Sequence, residues 1–334
     1  MAGPRYHGDR HALIDRLWSS LRVSRSDYQF FRLVGQFDSP PIPDYVNPFL
    51  DEGYLYGTKV PQLYKDWFKA ESGDYCYTHS TKSTLDVSVR KMDRQVCYEF
   101  RSDPNYHRVC NFLYHKWGKV LAVPSMTPSQ ILQDMDTSKA PGFFETWRGY
   151  RSKADCLLAG LLDEYFDPRL LSEVPLWKVS GKNEIKETDL YIGEKKQRTF
   201  IIEPLSMLWH DKRIFGNQNA AIKNHWWSAY GFNPYEGGVQ RMVNRLGRYK
   251  RYWEWDVVGW DRLFPHMEEV QTIRSAFVSD DEYKTWVTSN KVESHLVLPN
   301  GDVIVKHWGN NSGSGTTTGD NIIGMSFPLS HTFF

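Results

Sequence analysis

Residues 295–327 restrict the fold more than any other stretch of this chain. His295-Leu296-Val297-Leu298 and Val303-Ile304-Val305-Lys306 are apolar, β-branched runs on either side of Pro299-Asn300-Gly301-Asp302. An Asn-Gly pair between such runs supplies the positive φ angles of a tight hairpin, so the spacing predicts a β-hairpin turning at Asn300-Gly301. The second arm feeds into Asn311-Ser312-Gly313-Ser314-Gly315-Thr316-Thr317-Thr318-Gly319-Asp320-Asn321, a loop of small residues, hydroxyls and accessible backbone N–H groups. From Thr317 onward, Ile322, Ile323, Met325 and Phe327 predict the start of a buried helix.

A second stretch belongs with it. Trp253-Glu254-Trp255-Asp256-Val257-Val258-Gly259-Trp260-Asp261 reads as a buried strand that delivers Asp256 to its end. Gly259 lets the chain turn sharply before Asp261. A strand-end carboxylate is a suitable anchor for Mg²⁺, which takes oxygen ligands and few carboxylates beside substrate phosphates. The Val257 carbonyl can add a ligand. Asp261 is placed to accept from a ribose hydroxyl, and Asn321 can donate and accept toward the 2′-hydroxyl that separates RNA from DNA. The loop over 312–319 offers hydroxyls and N–H groups to a template or phosphate. Either stretch alone has an ordinary explanation, as a surface turn or a flexible linker; their order and spacing together point to chemistry.

The rest of the chain is less specific. Leu13, Ile14, Leu17, Trp18 and Leu21 predict an amphipathic helix over 10–22. Residues 36–62 read as irregular chain, and alternation over 75–100 reads as strands. Thr127-Pro128 predicts a helix start running to Asp134. Leu157, Leu158, Leu161, Leu162, Tyr165 and Phe166 predict one helix over 149–166, ended by Asp167-Pro168. Lys182-Asn183-Glu184-Ile185-Lys186 and Lys195-Lys196-Gln197-Arg198-Thr199-Phe200 form two extended arms. They are either a solvated hairpin or arms with the cations on one face. Between 201 and 251, cations outnumber acids and Trp226, Trp227 and Tyr230 lie among them, the composition of a nucleic-acid groove or of a solvated helix face. Helices are expected over 266–278 and 281–289.

Formal net charge is only +1, so any nucleic-acid surface must be local. Aromatics make up 15% of the chain, which argues against a disordered protein. The four cysteines form no close pair, and Cys97, His107, Cys110 and His115 match no common zinc spacing. No apolar run reaches the ~18–20 residues of a membrane span.

On these residues the chain resembles the RNA-dependent RNA polymerases of positive-strand RNA viruses, in the picornavirus-like assemblage. Asp256-x4-Asp261 is similar to the family's motif A, and Ser312-Gly313-x3-Thr317-x3-Asn321 to motif B. Lys182-x-Glu184 and Lys196-x-Arg198 resemble motif F, and Thr137-Ser138-x3-Gly142 resembles motif G. Gly309-Asn310-Asn311-Ser312-Gly313 and Pro265 are similar to astrovirus-like members. The resemblance implies an α+β, right-hand polymerase fold. Residues 126–250 would be fingers, 251–334 a partial palm with an intervening fingers hairpin, and 1–125 either fingers or an upstream polyprotein segment.

It further implies Mg²⁺ (or Mn²⁺) at Asp256 and the Val257 carbonyl, and catalysis by Asp256 and Asp261. Nucleotide would be bound by Lys182, Lys186, Lys196, Arg198, Asp261, Thr317 and Asn321. Template RNA would contact Thr137, Ser138, Gly142, Ser312 and Gly313. Partners would be template, primer or nascent RNA, NTPs and other viral replication proteins, in the host cytoplasm. The family's motif C hairpin and thumb are expected after motif B, and residues 322–334 contain neither. The chain is therefore expected to be a fragment that does not polymerise alone. A non-catalytic RNA-binding protein and a reverse transcriptase-like palm are the alternatives.

Overall fold

The computed structural model describes residues 8–23, 27–38, 75–77, 87–182, 184–187, 197–225, 230–252, 257, 259–279 and 281–334, with backbone only at 75–77, 185–187 and 236. Helix α1 (Arg10–Ser19) is capped by the Asp9 carboxylate, which accepts from the His11 and Ala12 amides, and it buries Leu13 and Leu17. Strand β1 (Arg32–Gln36) follows, then β2 (Tyr75–Tyr77). The strands expected over 75–100 are otherwise absent among the described residues. Residues 87–90 form a helical turn and Glu99–Ser102 a 3₁₀ turn. Val89 and Met92, three apart, both enter the main core, a spacing that a helical turn satisfies and a strand does not.

Helix α2 (Pro104–Leu121) was not anticipated, although Asp103 caps it and Pro104 occupies its first turn. Its buried stripe is Tyr106, Val109, Leu113, Trp117 and Leu121. Helix α3 (Pro128–Asp134) starts as expected, with a reciprocal capping box between Thr127 and Gln130. The single helix expected over 149–166 is broken. Helix α4 (Phe143–Trp147) precedes it, α5 (Lys153–Leu158) covers only its first part, and Asp163–Phe166 is a 3₁₀ turn. The Ser152/Asp155 capping box fixes the start of α5, and Gly160 at φ 75° stops continuation. Leu158 is consequently solvent-exposed, whereas Cys156, Leu161 and Tyr165 are buried.

Next come β3 (Leu176–Gly181), β4 (Ile185–Glu187), β5 (Thr199–Ile202), α6 (Leu205–Lys223) and α7 (Val239–Leu246). Then follow α8 (Trp260–Leu263), α9 (Met267–Ser275), α10 (Tyr283–Val292), β6 (Ser294–Val297), β7 (Asp302–Lys306) and α11 (Thr317–His331). The helices expected near 266–278 and 281–289, the Asn300-Gly301 hairpin and the helix from Thr317 are all present. Gly301 supplies the turn's positive φ, 92°. The strand expected at 253–256 lies outside the described residues.

The principal sheet has the order β1-β7-β6-β3-β5, with β3 and β6 parallel and the other pairs antiparallel. A small second sheet pairs β2 with β4. Period-two alternation sends Trp177, Val179, Leu296 and Ile304 into a core with Phe215 of α6 and Trp286 and Val287 of α10. The alternate residues Leu176, Val297 and Val303 meet Leu13 and Leu17 of α1 and Phe143 and Phe144 on the other face. A further core joins α2, α9 and α11 around Phe264. The fold is thus a mixture of helices with one main sheet, whose central hairpin is buried on both faces. Strand β1 and helix α2, both within the first 125 residues, pack directly on that sheet and on α11.

Candidate active site

The two stretches singled out in the sequence meet through their backbones. Gly259 is left-handed (φ 68°, ψ 30°) and starts α8, which places Asp261 in the first helical turn. Beyond β7, Gly309 N donates to Phe264 O at 2.8 Å, and Asn310 N to Asp261 O at 2.7 Å. Gly309 itself has φ +77°, and a Cβ there would lie 2.7 Å from Asp261 O. Only glycine allows the second stretch to run so close to the first.

This stapling brings the side chains together. Asn321, in the first turns of α11, donates from Nδ2 to Asp261 Oδ1 at 2.7 Å. Asn310 Nδ2 donates to Asn321 Oδ1 at 2.9 Å and to Thr317 O at 3.0 Å. The Thr317 hydroxyl points at the Asn311 and Ser314 carbonyls, 2.6 and 3.0 Å away.

The loop from Ser312 to Thr316 lies against β5. Gly313 bridges to Ile202, and a Cβ on Gly313 would come within 2.1 Å of Ile201 O. Beneath the loop is a fully buried ionic cluster. Glu203 Oε2 accepts from Gly315 N at 2.8 Å, and Thr316 Oγ1 donates to Asp320 Oδ2 at 2.8 Å. Lys291 pairs with Asp211 at 2.6 Å and donates to the Thr316 hydroxyl, while Arg274 pairs with Asp320 at 2.6 Å. Burial, with the nearby Asp211 carboxylate, pushes the Glu203 carboxyl up to about 8, and burial also raises Asp211. Burial works against ionised Asp320 too, but Lys291 and Arg274 outweigh it and hold that carboxyl below its ordinary value.

The cations of the two extended arms border the same space. Lys182 N donates to Arg198 O at 2.8 Å, which carries the β3–β5 ladder one step further. Arg198 pairs with Glu184 at 2.7 Å and Lys182 lies 3.7 Å from it, both cations on the surface. A cavity of about 940 Å³ is lined by Lys182 and Arg198, by Val257 and Asp261, and by Ser312, Thr317 and Asn321. Residues from three separate stretches of sequence therefore face one space.

Other expected site residues stand elsewhere. Thr137, Ser138 and Gly142 are not in this lining. Gly142 (φ 108°) instead packs on the backbone of Pro204, where a Cβ would lie 2.8 Å from its Cα. Gly313 abuts β5, and Lys186 lies in β4. Asp256 and Lys196, with Trp226 and Trp227, lie outside the described residues. Of the cations expected to form a basic groove over 201–251, Arg241, Arg245 and Arg248 line one cavity with Tyr249, whereas Lys212 and Arg213 are drawn off into ion pairs. Lys212 pairs with Asp134, and Arg213 with Asp281 at 2.7 Å.

Of the lining residues that were not anticipated, two bond to the loop and its neighbours. Lys306, at the end of β7, is buried beside the cavity and bonds Asn311 Oδ1; burial lowers its ammonium to about 7, against the partly offsetting Asp261 carboxylate. The signal was a lysine closing an otherwise apolar run. Asn310 is the other, and the Gly-Asn-Asn ahead of Ser312 was its signal. Among the described residues, no three His, Cys, Asp or Glu side chains gather as a metal site. Asp261 and Val257, both in the cavity lining, nonetheless carry oxygens, a carboxylate and a main-chain carbonyl, of the type that hard divalent cations take.

Residues 172–325 match the family described as viral RNA-dependent RNA polymerase. Non-structural polyprotein 1AB of Turkey astrovirus 2 is 28% identical over 237 residues, 63% of this chain and 14% of the polyprotein. The polyprotein 1AB of Human astrovirus-4 is 35% identical over 123 residues, 31% of this chain and 8% of the relative. The genome polyprotein of Brome streak virus (strain German) is 25% identical over 166 residues, 47% of this chain and 17% of the relative. The chain thus spans a small part of the length of the curated relatives it matches.

Proposed function

This chain carries a viral RNA-dependent RNA polymerase segment of the astrovirus-like kind, and from that premise we propose that the 940 Å³ cavity is the nucleotide site of an RNA-templated nucleotidyltransferase. The observation that carries the reading is the Asn321–Asp261 hydrogen bond of 2.7 Å inside a cavity bordered by Lys182 and Arg198. A carboxylate only accepts, so Asp261 fixes which end of the Asn321 amide faces it. One Asp261 oxygen and one Asn321 N–H then remain for a ribose 2′-hydroxyl, which donates to the first and accepts from the second. Lys182 and Arg198 neutralise the triphosphate as charge builds in the transition state. Ser312 and Gly313 border the template, with Thr137, Ser138 and Gly142 along its path.

Asp256 and the Val257 carbonyl are the residues that would hold a divalent cation, Mg²⁺ or Mn²⁺. Bound there, it supplies charge neutralisation at the phosphates and activation of the 3′-hydroxyl. Residues 126–250 act as fingers and 251–334 as palm in a right-hand fold. The pairing of β1 with β7 favours including the first 125 residues in the polymerase. RNA template, primer and NTPs are the partners, together with other proteins of a viral replication complex in the host cytoplasm.

Template-directed primer extension by an intact polymerase containing this segment tests the reading. Asp256→Ala is expected to lower NTP incorporation by about 10²-fold or more. Undiminished extension by that variant, or a preference of the unmodified enzyme for dNTPs, overturns it.

A further inference from the structure

Asn310 is 3% exposed and touches Asp261 and Asn321, the two residues assigned above to the sugar, and Thr317 beside them. Its main-chain N–H donates to Asp261 O at 2.7 Å. Its side-chain Nδ2 donates to Thr317 O at 3.0 Å and to Asn321 Oδ1 at 2.9 Å. The chain of bonds has a fixed direction, because both its ends accept only. At one end the Asp261 carboxylate takes the Asn321 amide N–H, so Asn321 Oδ1 must face away from it. At the other end the Thr317 carbonyl holds the Asn310 amide with its nitrogen outward, toward that same Oδ1. Were the Asn310 amide turned over, its oxygen would meet two other oxygens.

We propose that Asn310 is a positioning residue for ribose selection: it locks the Asn321 amide in the orientation that presents N–H to a 2′-hydroxyl. The inference rests on the reading of the cavity as an NTP site. Asn310 does not contact the nucleotide. It acts through Asn321, and its main-chain bond to Asp261 survives any side-chain substitution, so the backbone staple between the two stretches persists in the variants.

The test compares incorporation of an NTP and its 2′-deoxy analogue by the intact polymerase. Asn310→Asp keeps the size but replaces the donor with an oxygen facing Thr317 O and Asn321 Oδ1. Asn310→Ala removes the donor without adding that repulsion. Both variants are expected to lower the ratio of kcat/KM for NTP over dNTP by roughly tenfold or more, the scale of a lost recognition hydrogen bond. Efficiency with dNTP should stay within about threefold of the unmodified enzyme. In an Asn321→Ala background, Asn310→Ala should change the ratio no further, since the residue through which it acts is gone. A parallel fall with both substrates at an unchanged ratio would mark Asn310 as merely structural and overturn the inference. Failure of the unmodified enzyme to prefer NTP over dNTP would overturn the reading of the cavity, and this inference with it.

Discussion

The loop from Ser312 to Thr316 is held from two sides by opposite kinds of chemistry. Below it, Glu203, Asp211, Arg274, Lys291 and Asp320 are all buried, and they clasp the Gly315 amide and the Thr316 hydroxyl. Above it, Lys182 and Arg198 stand in solvent, and the polar contacts between Asp261, Asn321 and Asn310 leave bonding capacity unspent. Buried charges without partners are costly, so the lower side tolerates little rearrangement. Exposed ion pairs are worth little, so the upper side can exchange protein partners for a ligand's phosphates. A loop anchored underneath and uncommitted on top is suited to meeting substrate without losing its shape.

The largest expected effect comes from breaking the lower side. Lys291→Met strands Asp211 without its cation and leaves Asp320 with Arg274 alone, at a cost of about 3–5 kcal/mol in stability. Denaturant unfolding measures this, and a loss below about 1 kcal/mol would remove the cluster from its anchoring role.

A pH profile sharpens the contrast. Folded Glu203 titrates at about 8, against an ordinary 4.5. Between those values the folded chain keeps a proton that the unfolded chain has released, so this group's contribution to stability falls as pH rises from 4.5 to about 8. Glu203→Gln has no such proton and retains an acceptor for Gly315. Relative to the unmodified chain it should gain stability steadily across that window, by at most a few kcal/mol at its upper end. Unfolding free energies at pH 5, 6.5 and 8 give the comparison, and parallel curves for the two proteins would contradict it.

The smallest stability effect belongs to the upper side. Arg198→Ala removes a surface pair with Glu184 and should change stability by less than about 0.5 kcal/mol. The same variant should bind NTP roughly tenfold more weakly, as loss of a charged hydrogen bond to phosphate requires. Titration calorimetry with a non-hydrolysable NTP separates the two outcomes.

The hairpin, the loop and the helix from Thr317 were legible in the sequence because each carries local chemistry: an Asn-Gly turn, a run of small residues, an apolar periodicity. The cap at Thr127 and the sharp turn at Gly259 were legible for the same reason. The helix expected over 149–166 failed where local signals competed. Ser152 and Asp155 restart the chain and Gly160 stops it, so leucine spacing lost to capping and to a left-handed glycine. At the site, Asp261 could be read from its offset in one motif, and Thr317 and Asn321 from theirs in another. Asn310 and Lys306 left only faint local signals and Glu203 left none, because the cavity and the loop that give them their surroundings are assembled from stretches distant in sequence. Glu203 reads as one acid following a strand until the fold sets Gly315 against it.

The pairing of β1 with β7 has a consequence in time. Tyr28, just ahead of β1, donates to Asp302 Oδ2 at 2.7 Å, across a sequence separation of 274 residues. At translation rates of roughly 5–20 residues per second, the early strand waits on the order of tens of seconds for its neighbour to leave the ribosome. During that interval its open edge is a template for the wrong strand. Completion of the cavity therefore waits on the emergence of the same hairpin that brings Lys306 to it, with Asn310 close behind.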